Sequence, residues 1–160
     1  MIDDYQKKLL QAKQQRKPIK KVVSQLRKQR KGDVDKKIHH LHNEAFSEID
    51  CLSCANCCKT TGPLFTQKDI NRIAGQLKLS PTEFIDKYLK VDEDNDYVLK
   101  TIPCHFLGED NYCSIYEFRP KACHEYPHTD RINQLGILKL TEKNVEICPA
   151  VAHIFIQLAK

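Results

Sequence analysis

Cysteine decides the chemistry of this chain. Cys51, Cys54, Cys57 and Cys58 fall within eight residues, and Cys104, Cys113, Cys123 and Cys148 follow at wide spacing. A thiolate is a soft ligand, and closely spaced thiolates on a loop converge on one metal ion or cluster. Two residues between a pair of cysteines let the backbone turn and aim both sulfurs at one ion, and here that spacing is doubled. Three thiolates so spaced also grip a cubane iron–sulfur cluster when a remote cysteine followed by Pro adds the fourth ligand, a description that Cys148-Pro149 fits. Side chains of neighbours tend to diverge, so Cys57 and Cys58 are expected to serve different centres, or one to be a ligand and the other to pack. Eight thiolates divide into two tetrahedral sites or form one multinuclear centre. All eight are candidate ligands, and zinc and iron both accept four thiolates. Eight unligated buried thiols would be the plain alternative, and the clustering argues against it.

Several neighbours could take part. His124 adjoins Cys123 and His105 adjoins Cys104; each is a ligand candidate only as a substitute for a thiolate. Glu117, His124 and Glu125 are the acid/base candidates if the site is catalytic. Arg119 can offset thiolate charge or pin a loop through backbone carbonyls. His39, His40 and His42 lie on an amphipathic stretch and are not counted as ligands. The run Asp92 to Asp96 invites a calcium reading that fails. Tyr97 stands where the loop needs Gly, and Pro103 stands where it needs Glu.

Charged residues make up 29% of the 160-residue chain and Trp is absent, so any core rests on Leu, Ile, Val and Phe. No apolar run is long enough to span a bilayer. The opening Met1-Ile2-Asp3-Asp4 lacks the layout of a secretory signal. A cytoplasmic protein is expected, and a reducing compartment favours metal binding or redox chemistry over disulfides. Residues 1–37 hold 13 Lys and Arg against 4 Asp and Glu, whereas residues 38–160 hold 13 against 17. The basic segment can meet nucleic acid or an anionic membrane, although a solvated helix face is the plainer reading.

The elements that must position the cysteines follow from periodicity. Residues 3–16 read as a polar helix with a thin stripe of Leu9, Leu10 and Ala12. Pro18 starts or bends a second helix carrying Ile19, Val22, Val23 and Leu26. Gly32-Asp33 is expected to break the chain, with Asp33 as the cap of a helix buried through Val34, Ile38, Leu41, Ala45, Phe46 and Ile49. Thr66 begins another helix, and Ser80-Pro81-Thr82-Glu83 carries a capping box with Leu89 on the buried face. Tyr97–Leu99, Thr101–Ile102 and Tyr112–Tyr116 look extended, Arg119–Cys123 reads as a helical turn, and residues 135–140 suit a strand or a short helix. Cys148-Pro149 opens a last helix with Ala150, Val151, Ile154, Phe155 and Leu158 inside. The expected fold is mainly α with a small β element. It is a metal-stapled, loop-rich single domain over 33–160 preceded by a basic helical arm over 1–32.

The linked motifs resemble a known family. Cys51-x2-Cys54-x2-Cys57-Cys58, Pro103-Cys104-His-Phe-Leu107, Cys113-Ser-Ile-Tyr116-Glu117, Arg119-Pro120-Lys-Ala-Cys123 and Tyr126-Pro127 are together similar to the YkgJ-type CxxCxxCC cysteine-cluster family over about residues 50 to 155. The resemblance implies zinc or iron chelation through the eight cysteines. The expected function is a metal-binding protein, with an iron–sulfur cluster as one form of the metal, acting as an accessory or carrier module for a protein partner. Flagellin lysine N-methylases contain a related cysteine-cluster region, which implies a metalloenzyme as the alternative. A thiol redox protein is the third reading, although a thioredoxin-like context is missing.

Overall fold

Ten helices and three short strands follow one another along residues 3–160. In order they are α1 (Asp4–Gln14), α2 (Arg16–Leu26), α3 (Lys31–Glu48), α4 (Cys51–Cys54), α5 (Asn56–Thr60), β1 (Leu64–Phe65), α6 (Gln67–Gln76), α7 (Pro81–Tyr88), β2 (Leu89–Val91), β3 (Tyr97–Leu99), α8 (Lys121–Glu125), α9 (Leu138–Asn144) and α10 (Pro149–Leu158). Single turns of 3-10 helix cover Tyr116–Phe118 and Gln134–Ile137. The fold is thus mainly helical with a small β element, as the sequence pattern implies. The structure is a computed structural model that describes residues 3–160. Met1 and Ile2, at the start of the expected arm, lie outside the described residues. The chain forms two compact units: one runs up to Cys54 and resumes at Pro127–Lys160, and the other is Ala55–Tyr126.

The first unit is organised by α10. Every residue from Pro149 to Ile156 is buried, and a helix apolar on all sides must sit among other elements. It packs against α1, α2, α3 and α9. These present Ala12, Ile19, Val22, Val23, Leu26, Val34, Ile38, Ala45 and Leu138 to the interior. His153 is the one ionisable side chain on α10, and both ring nitrogens are used. Lys8 Nζ meets Nδ1 at 3.2 Å, and Nε2 meets the Glu44 carboxylate at 3.1 Å. Nδ1 therefore accepts and Nε2–H donates.

One element here differs from the sequence reading, and another takes one of the two forms that reading allowed. Helix α3 starts at Lys31 and runs through Gly32 and Asp33, with Arg30 in the cap position. Asp33 lies in the first turn, where a negative charge still favours the helix dipole. Residues 135–140 are helical because Asn133 adopts left-handed backbone (φ 63°) and its side chain accepts from Gly136 N. The Asp35 carboxylate meanwhile accepts from Asn133 N and Gln134 N at 2.9 and 2.8 Å.

The second unit is a three-stranded antiparallel sheet, order β1-β3-β2, with helices packed on it. Leu64 pairs with Val98, and Leu89 with Leu99. Phe65, Ile70, Ile73, Ala74, Phe84, Leu89, Leu99, Phe106 and Ile115 form its core. The Ser80–Glu83 capping box is made in both directions, with Pro81 at the start of α7; a second box joins Thr66 and Asp69 at α6. Leu89 leaves the helix and begins β2, because its partner β3 returns across the acidic turn. The expected strand at Tyr112–Tyr116 shortens to one bridge, Leu107 to Cys113. Beyond it the chain winds directly into the 3-10 turn.

Burial makes α10 the most sensitive element. Phe155 is fully buried, and truncating it leaves a cavity that the surrounding helices close only in part. Phe155→Ala is expected to cost about 3 to 5 kcal/mol, read as a lowered urea midpoint with the denaturant slope unchanged.

Candidate metal centre

The cysteine segment is held at its start by a distant residue. The Tyr5 hydroxyl lies 3.0 Å from Ser53 Oγ and accepts from Asp50 N at 3.3 Å. Asp50 caps the single turn of α4: its carboxylate accepts from Leu52 N at 3.0 Å, and its carbonyl accepts from Cys54 N at 3.0 Å. Ala55 then adopts left-handed backbone (φ 52°), a region L-residues visit at a cost. The helix therefore stops after Cys54 and restarts with Cys57 and Cys58 on α5.

In the 55–126 unit four segments carry thiols into one neighbourhood, with no three thiols among the described residues within 4.8 Å of one another. Cys104 N donates to Cys58 O at 2.8 Å, so two of the cysteines are neighbours through the backbone. Cys113 enters through its bridge to Leu107, and Cys123 through the short helix α8. Burial pushes the Cys123 thiol up to about 12, and the charges of Cys58, Cys104 and Cys113 push the same way against Arg119. Cys104 is raised by burial and then by Cys58 and Cys113. Cys113 is raised by burial and by Cys58. Cys58 thus acts on each of the other three, and Cys123 feels all of them. Cys58 is raised further, first by the hydrogen bond with the Cys57 thiol and then by burial. The two neighbouring sulfurs meet; they do not diverge as expected.

A second set lies in the first unit. Cys148 is buried at the cap of α10, and its thiol is pushed up to about 12 by burial, with Cys51 and Cys54 adding to the rise.

Backbone N–H groups are aimed at the sulfurs of both sets. Phe106 and Leu107 donate to Cys104, Ile115 to Cys113, and Ala150 and Val151 to Cys148. Such donors favour the charged thiolate, and at Cys148 the N-terminus of α10 adds its dipole. A neutral buried thiol needs none of this. A donor set of thiols already supplied with N–H partners fits a thiophilic cation.

The loop leading into Cys123 is clamped from α6. Asp69 is buried, at 1% exposure. It accepts from Thr66 N at 2.9 Å, Arg72 Nη2 at 2.9 Å and Lys121 N at 3.1 Å. Burial alone would raise its pKa, but those hydrogen bonds hold it below the usual carboxylate range. The same Arg72 nitrogen donates to Arg119 O at 2.8 Å. Arg119 does both things considered for it: Nη1 donates to Tyr116 O at 2.8 Å, and its charge favours the Cys113 and Cys123 thiolates. Its guanidinium also stacks 4.0 Å over the Tyr116 ring.

The remaining candidates fall outside the thiol sets. His105 is exposed with its ring against Tyr88, centroids 4.7 Å apart. Glu117, His124 and Glu125 line one open cleft of about 370 Å³ together with Arg72 and Arg119. His39 Nε2–H donates to Arg131 O at 2.7 Å, and His42 Nδ1 meets Thr129 Oγ1 at 2.7 Å, so both hold a loop. Asp92, Asp94 and Asp96 bring carboxylate oxygens within 4.8 Å of one another. Asp92 Oδ1 there accepts from Asp94 N and Asp96 N, each at 2.9 Å, and Asp94 is exposed. That arrangement describes a tight solvated turn.

Residues 50–149, which include all eight cysteines, match the CxxCxxCC family, described as a "putative zinc- or iron-chelating domain". The chain belongs to the CxxCxxCC family. Metal binding is therefore its general function. It is also 34% identical over 96 residues to the uncharacterised protein MJ0661 of Methanocaldococcus jannaschii, which covers 57% of this chain and 50% of that one. The chain thus spans about half the length of this curated relative. No solved structure matches it. Tyr5 lies outside the CxxCxxCC match, and no spacing signal in the sequence links it to Ser53. Asp69 and Arg72 lie within the match but carry only the signal of a helix start. No helix among the described residues is long and apolar enough to cross a membrane.

Two outcomes follow from these shifts. Cys123 and Cys148 bind their protons more tightly in the folded chain than at the ordinary thiol value of 9.0. The stability they confer is complete below that value and drains away as pH rises toward about 12. Chelator-treated, reduced protein should lose melting temperature over this window more steeply than its Cys148→Ala variant. Asp69 has the opposite sign: its contribution is present above the usual carboxylate pKa and lost as pH falls through its depressed one. Asp69→Asn should cost about 2 to 3 kcal/mol at neutral pH, from lost charge-assisted hydrogen bonds to a buried group. The difference from the parent should shrink in urea titrations at acid pH.

Proposed function

We propose that the chain is an accessory or carrier module holding zinc or iron at two thiol sets. Cys58, Cys104, Cys113 and Cys123 form a four-thiolate site in the 55–126 unit, with Cys57 beside it. Cys51, Cys54 and Cys148 form a second site in the other unit. The observation that carries the reading is the backbone contact of Cys104 with Cys58, inside a family match that spans all eight cysteines, with the charge of Cys58 reaching Cys104, Cys113 and Cys123. Support comes from the N–H donors already directed at the sulfurs. A four-thiolate shell is closed and suits a structural ion, whereas three protein thiolates leave one coordination position for an exogenous ligand. A bound cation would supply charge neutralisation for partly buried thiolates and link the loops that carry them. An iron–sulfur cluster is the form that the Cys148-Pro149 signature favours for the second set.

Elemental analysis of protein purified without oxygen tests the division. Cys123→Ser should lose about one equivalent of metal and keep the second set's, and Cys148→Ser should do the reverse. Full metal content in both variants, or a parent protein lacking metal in aerobic and anaerobic preparations alike, would sink the proposal. An optical spectrum of the same samples distinguishes a colourless zinc site from thiolate-bound iron.

A further inference from the structure

The helices before the cysteine motif carry a chemistry that metal binding does not use. Residues 13–37 contain eleven Lys and Arg against two Asp, and no aromatic residue. All eleven cations are exposed. The ion pairs formed among the described residues involve none of them. Of the two acids, Asp35 is committed to the backbone of Asn133 and Gln134. Helix α2 buries Ile19, Val22, Val23 and Leu26 and turns Lys17, Lys20 and Lys21 to solvent. Its 11 residues span about 16 Å, roughly the rise of five base pairs. Where α2 meets α3, Lys28, Gln29, Arg30, Asp33, Lys36 and Lys37 line an open recess of about 590 Å³.

We infer that this face docks the phosphate backbone of duplex nucleic acid. Eleven cations against two acids on a folded helical surface leave a strong net positive charge, and a dense line of phosphates relieves the resulting repulsion while releasing condensed counterions. Three other polyanionic or oppositely charged surfaces fit less well. A single strand is gripped by aromatic side chains on which bases stack, and residues 13–37 have none. An anionic bilayer is held by an amphipathic helix that inserts apolar side chains. Those of α2 are buried against the protein's own core, and Leu10 is the one large apolar side chain exposed over residues 3–48. An acidic protein would be recognised with apolar anchors at the centre of the contact, and the face offers none. Contact to phosphates alone predicts binding with little sequence preference.

Fluorescence anisotropy on the metal-loaded full chain tests this with a labelled DNA duplex of about 20 base pairs between about 50 and 200 mM salt. Affinity should fall at least tenfold over that range. Lys20→Glu with Lys28→Glu should weaken binding at the lower salt at least tenfold. Lys90→Glu with Lys139→Glu, which changes net charge equally at exposed sites elsewhere, should change it less than about twofold. Circular dichroism of both double variants reports that the helices persist, and the salt slope of the parent is independent of any variant. Absence of duplex binding at the lower salt, equal loss in both double variants, or tighter binding to a single strand or to phosphatidylserine vesicles would overturn the inference.

Discussion

Desolvation of thiols is the constraint from which the rest of the structure follows. A desolvated sulfur that must ionise is costly unless something opposes its charge; in this chain Cys148 is buried, and Cys58, Cys104, Cys113 and Cys123 are partly buried. Burial and mutual repulsion both raise the thiols, as at Cys123. A cation that drew the protons off and sat among the sulfurs would make such an arrangement favourable. The local backbone is already shaped for that outcome, because N–H groups of Leu107, Ile115 and Val151 face sulfur.

The supports of the two sets differ in kind. Around Cys113 and Cys123 the scaffold is polar: Asp69 and Arg72 tie α6 to the Arg119-Pro120-Lys121 segment through backbone groups. Around Cys148 it is apolar, since that residue sits where a fully buried helix begins. At Cys51 it is a tyrosine hydroxyl from α1. A polar clamp fixes direction at the expense of sensitivity to acid, whereas a buried helix fixes position through packing.

The sequence made legible those features that depend on residues close together in it. The cysteine motif, the capping box at Ser80, the apolar face of the final helix and the mainly α class are all of this kind. What stayed hidden depends on pairs far apart. Tyr5 meets Ser53 across 48 positions, and Lys121 meets Asp69 across 52. The sorting of cysteines into two sets is likewise tertiary, because spacing alone allows a cubane as readily as two ions. Strand β2 was masked by Leu89, which continues a helical apolar pattern and is claimed by a strand partner instead. The division between units falls at Cys54–Ala55, inside the motif, where composition does not change.

Translation order gives that division a temporal meaning. Ala55–Tyr126 is contiguous, so the ribosome releases Cys58, Cys104, Cys113 and Cys123 before any residue of α10 exists. The other set draws on Cys148, and its surrounding unit lacks a central helix until the final stretch emerges. Vectorial synthesis therefore completes the contiguous segment before the chain that supplies α10 to the other unit has emerged.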